Sequence, residues 1–235
     1  MDENHWERYG AAAGVAFAVL VLISFFMVPS APHVDASFRK IGDYYANHRR
    51  AILTSNVIGT FGALAFIWFL GHLRHVLNRA EGGVEALSPI MYASGMATII
   101  VGIVAAIPAT VLAFSAKDEV INSNAGIVRL LYDMNTIMYS LLLLTAGLFA
   151  VAGAFAMARK ELVGPWLGWV GMGVALLDWT SGTAGFYVTK YSGFWTGFTI
   201  VAIIGFVAWV LAASVVMLRR PEVERAAAWE PVFAH

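Results

Sequence analysis

Six stretches of the chain, residues 10–28, 51–73, 89–114, 130–158, 165–188 and 195–218, are each apolar over a bilayer-crossing length. About 20 residues at ~1.5 Å rise cover a hydrocarbon core of ~30 Å. In that solvent every backbone N–H and C=O must be satisfied within its own segment, so each stretch is expected to be a helix. The fold expected is all-α: a polytopic six-transmembrane-helix bundle forming a single transmembrane domain over residues 1–235. The fourth stretch is the longest and is expected to tilt or protrude. Composition agrees, with 60% hydrophobic and 13% charged residues and a mean hydropathy of +0.72, outside the range of soluble domains. The lipid bilayer is the first partner implied.

The polar remainder narrows the class further. Residues 1–9 are acidic rather than basic and the first apolar run is too long for a secretory signal, so it reads as a retained helix. Lys and Arg flanking the spans are nearly balanced, but Arg74, Arg159–Lys160 and Arg219–Arg220 follow the ends of spans two, four and six, while Arg8, Arg79 and Arg225 fall on the same side. Both termini are therefore placed in the cytoplasm. A formal net charge of zero without a Lys/Arg run argues against nucleic acid. With no cysteine, disulfides and thiolate chemistry are excluded. His72 and His75 lack a third ligand partner, and no Walker, Rossmann, HExxH or GxSxG motif occurs, so no cofactor and no metal is expected.

Two connectors carry structure. Residues 35–50 open with Asp35 and Ser37 as caps and place Phe38, Ile41 and Tyr45 at helical spacing, which predicts an amphipathic helix on the membrane surface between spans one and two. Residues 74–88 read as a helical extension that stops at Gly82–Gly83. Trp6, Trp68, Trp166 and Trp195 sit where an interfacial belt requires them.

Asp178 stands near the middle of the fifth span, and a carboxylate at that depth is costly unless protonated, paired or facing a polar cavity. Around it, polar residues gather in one half of the membrane. The first halves of spans two (Thr54, Ser55, Asn56, Thr60), four (Tyr132, Asp133, Asn135, Thr136, Tyr139, Ser140) and six (Trp195, Thr196, Thr199) join the second half of span five (Asp178, Thr180, Ser181, Thr183, Tyr187). On span four these residues occupy an arc of about 160° at 100° per residue, which should look into the bundle. Arg129 and Asp133, four apart, should pair on one face. Two readings stay open: a buried hydrogen-bond network that fixes helix register, or a pocket with Asp178 and Asp133 as catalytic carboxyls. In the pocket reading Asn56, Tyr132, Asn135, Tyr139, Trp179, Ser181 and Tyr187 contact substrate. An acid beside aromatic faces can protonate an alkene and shield the cation that results.

The segments WERYGAAAG, KIGDYYANHRR, FLGHLRHVLNRAEGG, LYDMN and GPWLGWVGMGVALL, in that order, resemble a group of uncharacterised actinobacterial multi-pass membrane proteins grouped as a domain of unknown function. The resemblance implies a bacterial plasma-membrane location and transfers no activity and no site residue. In size and in its acid-plus-aromatic content the chain is also similar to compact integral-membrane terpene cyclases, an analogy of architecture alone. The function expected is a small integral-membrane enzyme doing acid–base chemistry on a hydrophobic, isoprenoid-like substrate. The alternative is a proton-coupled transporter or a lipid- or ligand-binding membrane protein, which in the transporter case calls for a homo-oligomer because six helices are few.

Overall fold

The structure is a computed structural model that describes residues 3–81, 87–117, 124–159 and 164–219. The Gly82–Gly83 stop, Lys160, Arg220, Arg225 and His235 lie outside the described residues, as do the side chains of Trp6, Arg8, Arg79 and Arg159. Seven helices make up the described chain: α1 (Glu3–Met27), α2 (Phe38–Asn47), α3 (Arg49–Glu81), α4 (Leu87–Phe114), α5 (Ala125–Arg159), α6 (Gly164–Tyr187) and α7 (Gly193–Arg219). Polar caps start two of them. Ser37 Oγ accepts from Lys40 N at 3.4 Å, and Asn124 Oδ1 accepts from Gly126 N and Ile127 N at 3.1 and 3.2 Å, each taking up a backbone donor that the first helical turn leaves free.

Five of these helices are long and apolar enough to cross a membrane: Tyr9–Met27, Arg49–Asn78, Leu87–Phe114, Ala125–Ala158 and Gly193–Arg219. The fifth expected span, 165–188, departs from the pattern. At 24 residues, about 36 Å at 1.5 Å per residue, α6 has the length. Its second half, DWTSGTAGFY, carries Asp178 and four hydroxyl side chains, and α6 is not among these five.

Each long helix packs on its neighbours in chain order, and α1 meets α7, so α1, α3, α4, α5, α6 and α7 close a ring. Small residues make the closure tight. A Cβ on Gly14 of α1 would lie 2.0 Å from Ser214 Oγ of α7 and 2.5 Å from the Phe69 ring of α3, so those side chains pack into the space that glycine leaves. Inside the ring Phe66 stacks on Phe17 with centroids 4.4 Å apart and meets Phe149 edge-on at 5.3 Å. Phe206, Phe149 and Trp209 continue this aromatic centre.

α2 spans one end of the ring, where α1, α4 and α6 finish and α3, α5 and α7 begin. Its apolar face is turned toward protein rather than lipid: Ile41 and Tyr45 are buried against Ile52, Leu112, Val128 and Tyr132. Burial pushes the Tyr45 phenol well above its ordinary pKa, with Tyr132 adding to the effect. The connector before α2 is pinned as well. Tyr44 Oη donates to Pro29 O at 2.7 Å, Tyr132 Oη donates to Pro32 O, Arg129 Nη1 donates to Ala36 O at 3.4 Å, and Tyr191 N donates to Asp35 Oδ2 at 3.3 Å. Residues 28–48 thus form a strap over one end of the bundle.

Candidate functional site

Between the aromatic centre and the strapped end lies a cavity of about 220 Å³, walled by α1, α3, α4, α5 and α7. Its floor is Phe17, Phe66 and Phe206, and small residues (Gly59, Ala63, Gly102, Ala106) open its sides. Toward the strap the walls turn polar with Ser24, Asn56, Thr60 and Tyr139, while Thr98 adds a hydroxyl from α4. None of the lining side chains is charged. The cavity exceeds the ~150 Å³ void that admits a benzene molecule in an engineered protein core.

Most of these polar groups are already engaged. Ser24 Oγ donates to Ser55 O and Ser55 Oγ donates to Ser24 O, each at 2.9 Å, with the two hydroxyl oxygens also 2.9 Å apart. Thr60 Oγ1 donates to Asn56 O at 2.8 Å and Thr98 Oγ1 to Ser94 O at 2.8 Å. Asn56 Nδ2 donates to Thr110 Oγ1 at 2.7 Å, and the Thr110 hydroxyl donates onward to Ala106 O at 2.7 Å. Because the Thr110 proton is spent on Ala106, Asn56 must present its NH₂ there, which leaves Oδ1 as the uncommitted end. Tyr139 Oη makes no hydrogen bond among the described residues, and the side chain is not packed away: Tyr139 is 40% exposed.

The two carboxyls do not come together. Asp133 belongs to the α2 end of α5, half-exposed, with its Oδ2 accepting from Arg129 Nε at 2.9 Å. Asp178 is fully buried on α6, and neither of its oxygens has a hydrogen-bond partner among the described residues. The antiparallel pair Ser181 Oγ···Thr199 Oγ1 at 2.6 Å sets the α6–α7 register and places Asp178 level with Ala202, beside the cavity-lining Ile203. The indole of Trp179, donating to Leu144 O at 3.1 Å, sets the α5 register and places Asp178 level with the turn that holds Leu143 and Ala146. Asp178 is therefore at the height of the cavity but is not among its lining residues.

Of the residues singled out in the sequence, Asn56, Thr60 and Tyr139 line the cavity. Tyr132, Asn135, Trp179 and Ser181 instead serve contacts between elements. Tyr132 holds the strap, Ser181 joins α6 to α7, and Trp179 fills the space that Gly147 leaves on α5, where a Cβ would sit 2.5 Å from its ring. Asn135 Nδ2 donates to Ala105 O at 2.8 Å, bracing α4 where Pro108 lacks the N–H that would reach the Val104 carbonyl. Tyr187 is 80% exposed at the end of α6. No single network joins Asp133, Asp178 and Asn56. The contributions of α1 and α4 were not foreseen, because those helices carry no polar cluster. Their signal is weaker: small residues one turn apart, Gly102 and Ala106, on a helix otherwise rich in Ile and Val.

No protein-family model, curated protein or solved structure matches the chain. The class is defined by the fold itself: a multi-pass helical membrane protein, its long helices closed in a ring around an uncharged internal cavity. Among the described residues no group of three or more His, Cys, Asp or Glu side chains is placed to hold a metal ion.

Proposed function

We propose that this protein binds a hydrophobic or amphiphilic small molecule within the membrane. The observation that carries the reading is the cavity of about 220 Å³ with an aromatic floor and a polar upper wall. Pockets for small molecules have this make-up, mostly apolar with a few placed polar groups. A bilayer delivers such molecules directly to a helical bundle. Filling the cavity tests it. Ala106→Phe should abolish the thermal stabilisation that isoprenoid or acyl compounds give the purified protein, about 2.7 kcal/mol at a hundredfold excess over Kd. Equal stabilisation of parent and variant would sink the proposal.

A second reading, the acid–base enzyme, has its own support in Asp178. A buried carboxyl without partners costs several kcal/mol, and such groups are kept where they do chemistry rather than where they hold structure. In this reading Asp178 protonates an alkene in the cavity, and the rings of Phe17, Phe66 and Phe206 shield the cation. It demands a path for the proton past the wall near Leu143 and Ile203. Asp178→Asn keeps the shape and removes the transferable proton. If the variant folds and converts prenylated compounds as fast as the parent, this reading fails; loss of proton-driven flux in liposomes would put transport in its place.

A further inference from the structure

We infer that the occupant of the cavity is an uncharged amphiphile whose polar end is a hydroxyl group, a long-chain or isoprenoid alcohol rather than a phosphate, carboxylate or pure hydrocarbon. This rests on the cavity reading above and adds the chemistry of the ligand. The lining offers no Lys, Arg or His to an anion and no Asp or Glu to a cation. An ionised head group placed there would lose its hydration with nothing to offset the loss. A diphosphate, which needs several cationic or metal contacts, is excluded most strongly.

The uncommitted polar groups then select among neutral heads. Tyr139 Oη is free to donate and to accept, and Asn56 Oδ1 is free to accept, because Thr110 and Thr60 already occupy the remainder of the Asn56 polar groups on that side. A hydroxyl both donates and accepts, so one head group can donate to Asn56 Oδ1 and accept from Tyr139 Oη. A ketone or quinone carbonyl only accepts and leaves Asn56 Oδ1 unmet, and a hydrocarbon leaves both unmet. The floor of Phe17, Phe66 and Phe206 receives the apolar chain. The molecule lies with its polar end toward the α2 strap and its chain toward the membrane centre.

Three probes with one chain and different heads decide it: farnesol, farnesyl diphosphate and farnesene, titrated against the full-length protein in lipid nanodiscs. Farnesol is expected to bind at least tenfold more tightly than either of the others. Tyr139→Phe, which removes one oxygen and keeps the ring, is expected to weaken farnesol about fivefold or more and leave farnesene unchanged. Diphosphate binding equal to or tighter than the alcohol overturns the inference, and so does an alcohol affinity indifferent to Tyr139→Phe. Farnesene binding as tightly as farnesol, with both lost in Ala106→Phe, overturns the hydroxyl assignment while leaving the cavity reading intact. Binding of all three that is indifferent to Ala106→Phe overturns the cavity reading itself.

Discussion

Gly182 and Gly173 lie on the same helix and answer to different surroundings. A Cβ on Gly182 would sit 2.8 Å from the backbone oxygen of Ser140, an atom that moves only if α5 moves, whereas a Cβ on Gly173 meets nothing within 4 Å. Gly182→Ala is therefore expected to destabilise the bundle by about 1–3 kcal/mol, the usual cost of overpacking. Gly173→Ala should be neutral or stabilising by up to about 1 kcal/mol through helix propensity. Denaturation in mixed detergent micelles checks the pair, and equal effects would mean that α6 does not rest on α5 as described. Asp178 shows the same dependence on surroundings. Its neighbours one turn away are Val174, Ala175, Ser181 and Gly182, and the hydroxyl of Ser181 is turned to Thr199 instead, so the carboxyl gains nothing from the polar stretch around it in sequence.

α2 carries the clearest mechanical consequence among the elements. It is ten residues long, too short to be a stable helix alone in water, so its order depends on the burial of Ile41 and Tyr45 and on the bonds that hold the strap. Tyr132→Phe removes the hydrogen bond to Pro32 and leaves the ring against Tyr45. A single such bond is worth about 1 kcal/mol. Amide exchange across residues 38–48 should rise about fivefold in this variant while the centres of α5 and α7 stay protected. Unchanged exchange would show that the apolar contacts hold α2 without the strap. Alkaline pH acts on the same contact. The raised pKa of Tyr45 means that its neutral form stabilises docking fully below about pH 10, the value in the unfolded chain, and that this contribution is lost as pH rises through the folded value.

The ring arrangement of the whole molecule fixes which connectors share a side of the membrane. Lys40, Lys117 and Lys190 stand at the α2 end, and Arg74 and Arg219 stand at the other. Because the chain has no cysteine, single-cysteine variants report position without background. Lys40→Cys, Lys117→Cys and Lys190→Cys should all react with an impermeant maleimide from one face of intact vesicles, and Arg74→Cys and Arg219→Cys only from the other. Lys190→Cys labelling from the opposite face to Lys117→Cys would mean that α6 does not cross. That one labelling pattern bears on both the number of crossings and the side of the membrane on which each end of the bundle lies.

The helices were legible in the chain because a membrane imposes its thickness on apolar run length and forbids unsatisfied backbone; residues 89–114 became Leu87–Phe114 and 195–218 became Gly193–Arg219, while α1 and α5 begin earlier than their apolar runs, at Glu3 and Ala125. The clustering of polar residues toward one end followed from the alternating direction of successive spans. Which of those residues share a space did not. Asn56 and Tyr139 face the cavity while Asn135, Trp179 and Ser181, equally polar and at equal depth, are spent on neighbouring helices. Helix periodicity gives the angle of a side chain about its own axis but not the rotation of that axis within the ring. That rotation is set by where small residues let helices touch, and only packing in three dimensions decides it.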